Sequence, residues 1–404
     1  MGRMRKKIFG RLKETVTIAC DELLAVFKDT GVMIIFFAAG LLYPILYSFI
    51  YRNETVRDIP VAVVDESHTS LSRMFIRAID ATPDVDVVVK APTMLEARES
   101  YKNSDVDGII LIPETFSDDI HNGRQTHVSA FSNMASMLYF RAIYSSVNYV
   151  ALGMGTEIQT HNLMMKGLSR KQAEIQAAPS KYEMHAMFNP KGGYASFLIP
   201  CVLVLIIQQT LVLGVGIRAG TDRENNAFHN LLPERKLYHG ARRVVLGKAL
   251  SYFVLYLFIS TYNFVIIPYF FDLPHTASFA TLMAFIIPYV TACVFFSMAI
   301  SVFFYEREEV FVMYLFTTLP LLFMSGIPWP MVNMPTFWKL FSGFFPSTFG
   351  IKAFTKINSM GASLSQISFE LMWLWIQAGV YFIFTLVLYR WQINRSSFKD
   401  MKRG

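Results

Sequence analysis

Few side chains in this 404-residue chain have the types and spacing that chemistry requires. The stretch from Gly240 to Gly247-Lys248 comes nearest to a phosphate-binding loop. Its glycine spacing is wrong, and Ala249 stands where a Ser or Thr would hold magnesium. The chain is therefore not expected to hydrolyse ATP, and no cofactor is expected in it. His121 and His127 flank the start of an expected strand, which suits two solvated histidines better than a metal pair. The sequence has no HExxH, no Cys/His cluster at zinc spacing and no G-x-S-x-G elbow. Asp65 closes an expected strand, where a turn-forming carboxylate is the better reading than a ligand contact. Cys20, Cys201 and Cys293 all lie outside residues 52–193, so that polar block is no disulfide scaffold. Gln208 and Gln209 are more informative. They sit in the middle of a long apolar run, where a polar group is costly unless it faces an interior. A translocation path and hydrogen bonding between helices explain them equally well.

The elements that hold these residues are mostly apolar. Gly31 to Tyr51 holds 21 residues without a formal charge. Further long uncharged stretches cover roughly 194–217, 249–271, 279–304, 310–328 and 371–389, each near the 20 residues of a spanning helix. The chain is 53% hydrophobic and 17% charged, against about 25% charged in soluble domains. The charge deficit is local. Residues 52–191 carry 14 Lys/Arg and 17 Asp/Glu, so the net +7 comes from the apolar part and its flanks. That distribution suits a membrane surface and its lipids, not a nucleic-acid groove.

Charge also orients the chain. Residues 1–30 hold seven Lys/Arg, 218–248 hold seven and 390–404 hold five. The positive-inside rule places these segments, and both termini, in the cytoplasm. The expected fold is an α-helical integral membrane protein with six transmembrane helices and an inserted α/β extracytoplasmic domain. In order, 1–30 is a cytoplasmic amphipathic interfacial helix, with Ile8, Leu12, Val16, Ala19, Leu23 and Phe27 on one stripe. Residues 31–51 are the first crossing, and the acidic residues before them with no cleavage site after them indicate an uncleaved anchor. Residues 52–193 form the external domain, ending in a long helix. Residues 194–389 hold five crossings, a cytoplasmic loop at 218–248 and an outer re-entrant segment at 329–370 broken by Pro330, Pro335 and Pro346. A basic tail, 390–404, follows.

In the 52–193 block short strands alternate with helices: strands at 59–65, 85–89, 108–112 and 127–131, and helices at 70–79, from Thr93 with a capping box, at 116–120 and from 134 to about 181. This alternation predicts parallel pairing.

Several elements in order resemble the membrane subunit of ABC exporters of the type 2 class. They are the strand Val61–Asp65, then Asp107-Gly108-Ile109-Ile110-Leu111-Ile112-Pro113-Glu114-Thr115-Phe116-Ser117, then Phe188-Asn189-Pro190. After these come Asp222-Arg223-Glu224 with Leu231-Leu232-Pro233 and Gly247-Lys248, then Ser325-Gly326-Ile327-Pro328 through Asn333-Met334-Pro335, and finally Phe345-Pro346-Ser347-Thr348. Asn225-Asn226 departs from the Gly-Thr pair that such subunits often carry.

The resemblance implies a permease of the bacterial inner membrane that pairs with a second permease copy. ATP and magnesium would be bound by a cytoplasmic ABC ATPase dimer on separate chains. The loop after the second crossing would carry a coupling helix at 223–232, with Arg223, Glu224, Phe228, Leu231 and Leu232 in contact with the ATPase. Glu306, Glu308 and Glu309 would make a second contact. Gln208 and Gln209 would flank the path of a small molecule, drug or lipid-like substrate. A lipid or glycan flippase of the same class is the nearest alternative. A membrane-anchored sensor with an external ligand-binding domain is the alternative of another class. A periplasmic adaptor and an outer-membrane channel are further candidate partners.

Overall fold

The computed structural model describes residues 2–53, 55–180, 185, 187–189, 192–224 and 237–400, leaving aside the side chains of 2–9, 11, 237–240 and 393–400. It divides into two compact units, Met1–Glu54 with Ala186–Gly404, and Thr55–His185.

The first helix, α1 (Gly2–Lys28), is amphipathic in a different way from the expected stripe. Ala19, Glu22 and Val26 are buried, whereas Leu12, Val16, Leu24 and Phe27 are exposed. The apolar residues thus split between a face packed on the protein and an open face. Asp29 stops α1 and caps the next helix, α2 (Thr30–Ile50), by accepting from the N–H groups of Gly31 and Val32. From Ile34 to Leu42, α2 is wound as a wider π-helix.

The Thr55–His185 unit is an α/β layer. Its elements are β1 (Ile59–Asp65), α3 (Ser70–Asp80), β2 (Val85–Ala91), α4 (Met94–Lys102), β3 (Gly108–Ile112), α5 (Phe116–His121), β4 (Ser129–Ser132), α6 (Met137–Met165) and α7 (Arg170–Ala177). The sheet order is β2-β1-β3-β4. β1 pairs in parallel with β2 and β3, but β4 runs antiparallel to β3, so the sheet is mixed. β4 returns antiparallel along the open edge of β3. Ile59, Val61, Val63, Ile110 and Ile112 bury one face with α3, α5 and α6. Ala62, Val64 and Ile109 bury the other with Ala97 of α4.

The long helix expected from 134 to about 181 is two helices. A glycine with positive φ, Gly167, ends the first, and a Ser169–Gln172 capping box starts the second. At Thr93 only half the expected box forms, because Thr93 accepts from Glu96 N but receives no reciprocal backbone bond. A complete box stands instead at Thr69–Ser72.

Asp65 is a turn former. Its carboxylate accepts from Ser67 N at 3.2 Å, His68 N at 3.1 Å and Ser72 Oγ at 2.7 Å. Asp65→Ala strands those donors and is expected to cost about 2 kcal/mol. Denaturation of the full-length protein, followed by hydrogen exchange over residues 66–80, measures it.

The helices of the other unit continue with α8 (Tyr194–Glu224), α9 (Leu237–Thr261, prolonged by a π-wound stretch and a last turn to Phe270), α10 (Phe279–Ser301), α11 (Arg307–Met324), α12 (Thr336–Ser342), α13 (Pro346–Met360) and α14 (Ser368–Asp400). Among the described residues five helices are long and apolar enough to cross a membrane: Thr30–Ile50, Tyr194–Glu224, Ala241–Phe270, Phe279–Ser301 and Ser368–Gln392. The stretch expected at 310–328 is α11. It opens on Arg307, Glu308 and Glu309, and its uncharged part ends at Met324 before the turn that carries Pro328. That part is shorter than the roughly 20 residues of a perpendicular crossing.

α8 is the hub, almost wholly buried among α2, α10, α11 and α13. Segment 329–370 holds a 3-10 turn at Met331–Asn333, the helices α12 and α13, and the start of α14. Pro346 starts α13, and Gly361 with φ +64° ends it. α2 and α9 meet at their π-wound stretches, where Asn263 Nδ2 donates to Gly40 O at 3.1 Å and Tyr262 OH to Leu41 O at 3.4 Å.

Candidate functional site

Charged residues gather where α1, α8 and α9 converge. Lys248 Nζ lies 3.1 Å from Glu22 Oε2 and 3.2 Å from Asp222 Oδ2. Arg218 Nη1 reaches the other oxygen of Asp222 at 2.7 Å. Tyr252 OH donates to Glu22 Oε1 at 2.5 Å. Two carboxylates and two cations thus form a neutral quartet. Glu22, Asp222 and Lys248 are 1%, 2% and 6% exposed, so none is hydrated enough to stand alone.

Burial by itself would raise the Glu22 carboxyl. The Lys248 ammonium, the Tyr252 hydroxyl and Arg218 outweigh it and hold that carboxyl below its ordinary value. The backbones come close here. Ser251 Oγ donates to Ala19 O at 2.7 Å. A Cβ on Gly247 would lie 3.0 Å from Thr15 O and 2.7 Å from a methyl carbon of Ile18. Only glycine lets α9 approach α1 so nearly.

A second charged group lies at the end of α8. Asp29 Oδ2 accepts from Thr221 Oγ1 at 3.1 Å and pairs with Arg307 Nη2 at 3.2 Å. Arg307 also faces Glu224: its backbone N–H donates to Glu224 Oε1 at 3.3 Å, and its Nε is 3.6 Å from Oε2. Arg223 Nη2 donates to Val302 O at 2.8 Å, and its guanidinium lies over the Tyr305 ring at 5.4 Å. The Gln392 carboxamide oxygen, turned toward Arg223, accepts from Nε and Nη2. A polar cleft of about 510 Å³ opens beside Lys28, Asp29, Arg218, Thr221 and Arg307.

The sequence-derived site residues fall in three places. Arg223 and Glu224 meet the 302–309 turn, with Arg223 engaged inside the chain and Glu224 exposed. In that turn Glu306 and Glu308 are exposed, and Glu309 accepts from Tyr305 N at 2.7 Å. Phe228, Leu231 and Leu232 lie outside the described residues, as do Asn225-Asn226, Pro233 and Pro190. Gln208 and Gln209 are 0% and 3% exposed. Gln208 Oε1 accepts from Ser347 N at 2.7 Å, tying α8 to α13. Gln209 Nε2 donates to Thr317 and Thr318 Oγ1 at 3.2 and 2.8 Å, tying α8 to α11.

Sequence reasoning missed Glu22, Asp29, Arg218, Lys248 and Arg307. It also set the loop at 218–248, whereas α8 runs on to Glu224 and α9 starts at Leu237. Charge marked Arg218 and Lys248 as loop, but each pairs with Asp222 and remains inside a helix. The signal available was helical spacing: Arg218 and Asp222 stand at i and i+4.

His121 Nδ1 bonds Ser117 O in its own helix, and among the described residues no group of three or more His, Cys, Asp or Glu is placed to hold a metal. A family model described as ABC-2 family transporter protein matches residues 31–387. No curated protein matches the chain.

Proposed function

The chain belongs to the ABC-2 family of transporter proteins, and from that premise we propose that this permease subunit is an exporter of the bacterial inner membrane, moving a small-molecule, drug or lipid-like substrate outward. Two copies pair, and a cytoplasmic ABC ATPase dimer binds ATP and magnesium and drives them. α11 counts as the sixth crossing, its short apolar stretch met by local thinning of the bilayer and snorkelling of the charges that flank it. The basic segments lie inside, with both termini, and the α/β unit lies outside, where a periplasmic adaptor and an outer-membrane channel can receive cargo. A lipid or glycan flippase of the same class differs only in the cargo.

The observation that carries the coupling role is the junction of α8 with the 302–309 turn. Glu224, Arg307 and Asp29 join the end of α8 to the start of α11 and the start of α2 through side chains. A push delivered at residues 225–236 reaches three helices at once. Phe228, Leu231 and Leu232 supply the apolar contact with the ATPase, and Arg223, Glu224, Glu306, Glu308 and Glu309 frame it. Gln208 and Gln209 lie at the joints between α8 and its neighbours, beside the path. They re-pair when the helices tilt, so ATP binding biases one arrangement over another.

The test is reconstitution with the ATPase in proteoliposomes. Phe228→Asp with Leu231→Asp should abolish substrate- or lipid-stimulated hydrolysis while leaving the permease folded and inserted. Unchanged stimulation would remove the coupling role from this segment.

A further inference from the structure

The α/β unit contains a long groove that the transport reading does not use. It has a volume of about 950 Å³ and runs along α6, opposite α5 and the segment that leads into β4. That is the upper end of the range for small-molecule sites, roughly 300–1,000 Å³. Its floor is apolar, with Phe75, Phe116 and Val147 from the core and Met154 beyond them. Its wall along α6 carries Asn148, Gln159 and Asn162, which hydrogen-bond without charge. Two cations, Arg124 and Lys166, line it, and among the described residues no acid does. Arg124 is paired with Asp119 at 3.2 Å, but a guanidinium has donors to spare.

Two further details suit an occupant. The Thr126 hydroxyl in the groove wall is buried without a partner. Gly155 stands in the middle of α6, where glycine weakens a helix, and a Cβ there would meet nothing within 4 Å. A larger side chain at 155 would stand in the groove, and glycine leaves it clear.

We propose that this groove binds an elongated amphiphile with a single anionic head. The apolar body lies along Phe75, Phe116, Val147 and Met154. The carboxamides of α6 take its hydrogen-bonding groups, and Arg124 and Lys166 hold the head. The groove lies wholly within Thr55–His185, so the inference stands independently of export, of its direction and of the coupling role.

The full-length protein in phosphatidylcholine nanodiscs would be titrated with 11-(dansylamino)undecanoic acid and with its neutral primary amide, against empty nanodiscs. Saturable binding is expected, tighter for the acid. Gly155→Trp should weaken it by at least about tenfold. Gly155→Ala should keep binding and so report that the helix itself is sound. Arg124→Gln with Lys166→Gln should remove the preference for acid over amide. Partition no greater than into empty nanodiscs would overturn the proposal, as would a Gly155→Trp protein that binds like the parent. An amphipathic helical peptide displacing the acid, or self-association lost in Gly155→Trp, would assign the groove to a protein instead and would equally overturn it.

Discussion

Replacing Lys248 by methionine is expected to destabilise the protein by about 3–5 kcal/mol, the usual cost of removing one partner from a buried ion pair. Lys248 is the cation between Glu22 and Asp222, and all three side chains are buried. Without it Asp222 keeps Arg218, but Glu22 keeps only the Tyr252 hydroxyl beside it and the more distant charge of Arg218. Glu22→Gln with Lys248→Met removes one charge of each sign and leaves the Asp222–Arg218 pair neutral. The double variant should recover most of the loss. Unfolding of both variants in mixed micelles measures this. A single variant within about 1 kcal/mol of the parent, or a double variant no better than the single, would refute the quartet as a unit.

The same cluster sets a pH response. The Glu22 carboxyl is held below its ordinary value in the folded protein, so the folded state binds fewer protons there than the unfolded state does. Its contribution is complete above the unfolded value of about 4.3 and is lost as pH falls through the lower folded value. Acid should therefore loosen α1 from α9 as pH falls below the unfolded value, and Glu22→Gln should flatten that response.

The second large effect is expected at Gly214. A Cβ there would overlap the ring of Phe36. The ring has no room to retreat, because Tyr252 and Tyr256 pack edge-on against it at 6.1 and 5.1 Å and it is fully buried. Gly214→Ala must therefore push α2 away from α8, at a cost of about 3 kcal/mol. Phe36→Leu should accept the added methyl, so the pair of substitutions should be milder together than their separate costs predict. A double variant whose costs simply add would show that the two helices do not meet there.

Much of the fold is legible in the sequence because hydrophobic period reports it directly. Ile59–Asp65 reads as a buried strand because it is one of the two interior strands, covered on both faces. The direction of β4 is not legible, because a strand reads the same along either course and the β3–β4 connection is as long as the β2–β3 connection, which does cross over. The split of the 134–181 helix is written in Gly167 and in Ser169–Gln172, yet helical propensity on both sides masks it. The charge clusters are hardest to read. Asp29 and Arg307 are 278 residues apart, and each alone looks like the end of a helix. Sequence distance hides such pairs, and a charge beside an apolar run is normally taken for its boundary. Arg223 and Glu224 could be located from sequence, but their meeting with the 302–309 turn depends on how α8 and α11 pack.

The loose winding of Ile34–Leu42 has one more consequence. A helix advances about 100° of arc per residue, so each residue taken up by a broader coil swings everything after it around the axis. The direction in which Tyr43, Leu46 and Phe49 point is therefore set upstream of them. Asn263 and Tyr262 clasp the carbonyls of Gly40 and Leu41 there. Releasing that clasp would let the stretch tighten and would roll Tyr43–Ile50 like a key in a lock, without moving Thr30–Met33.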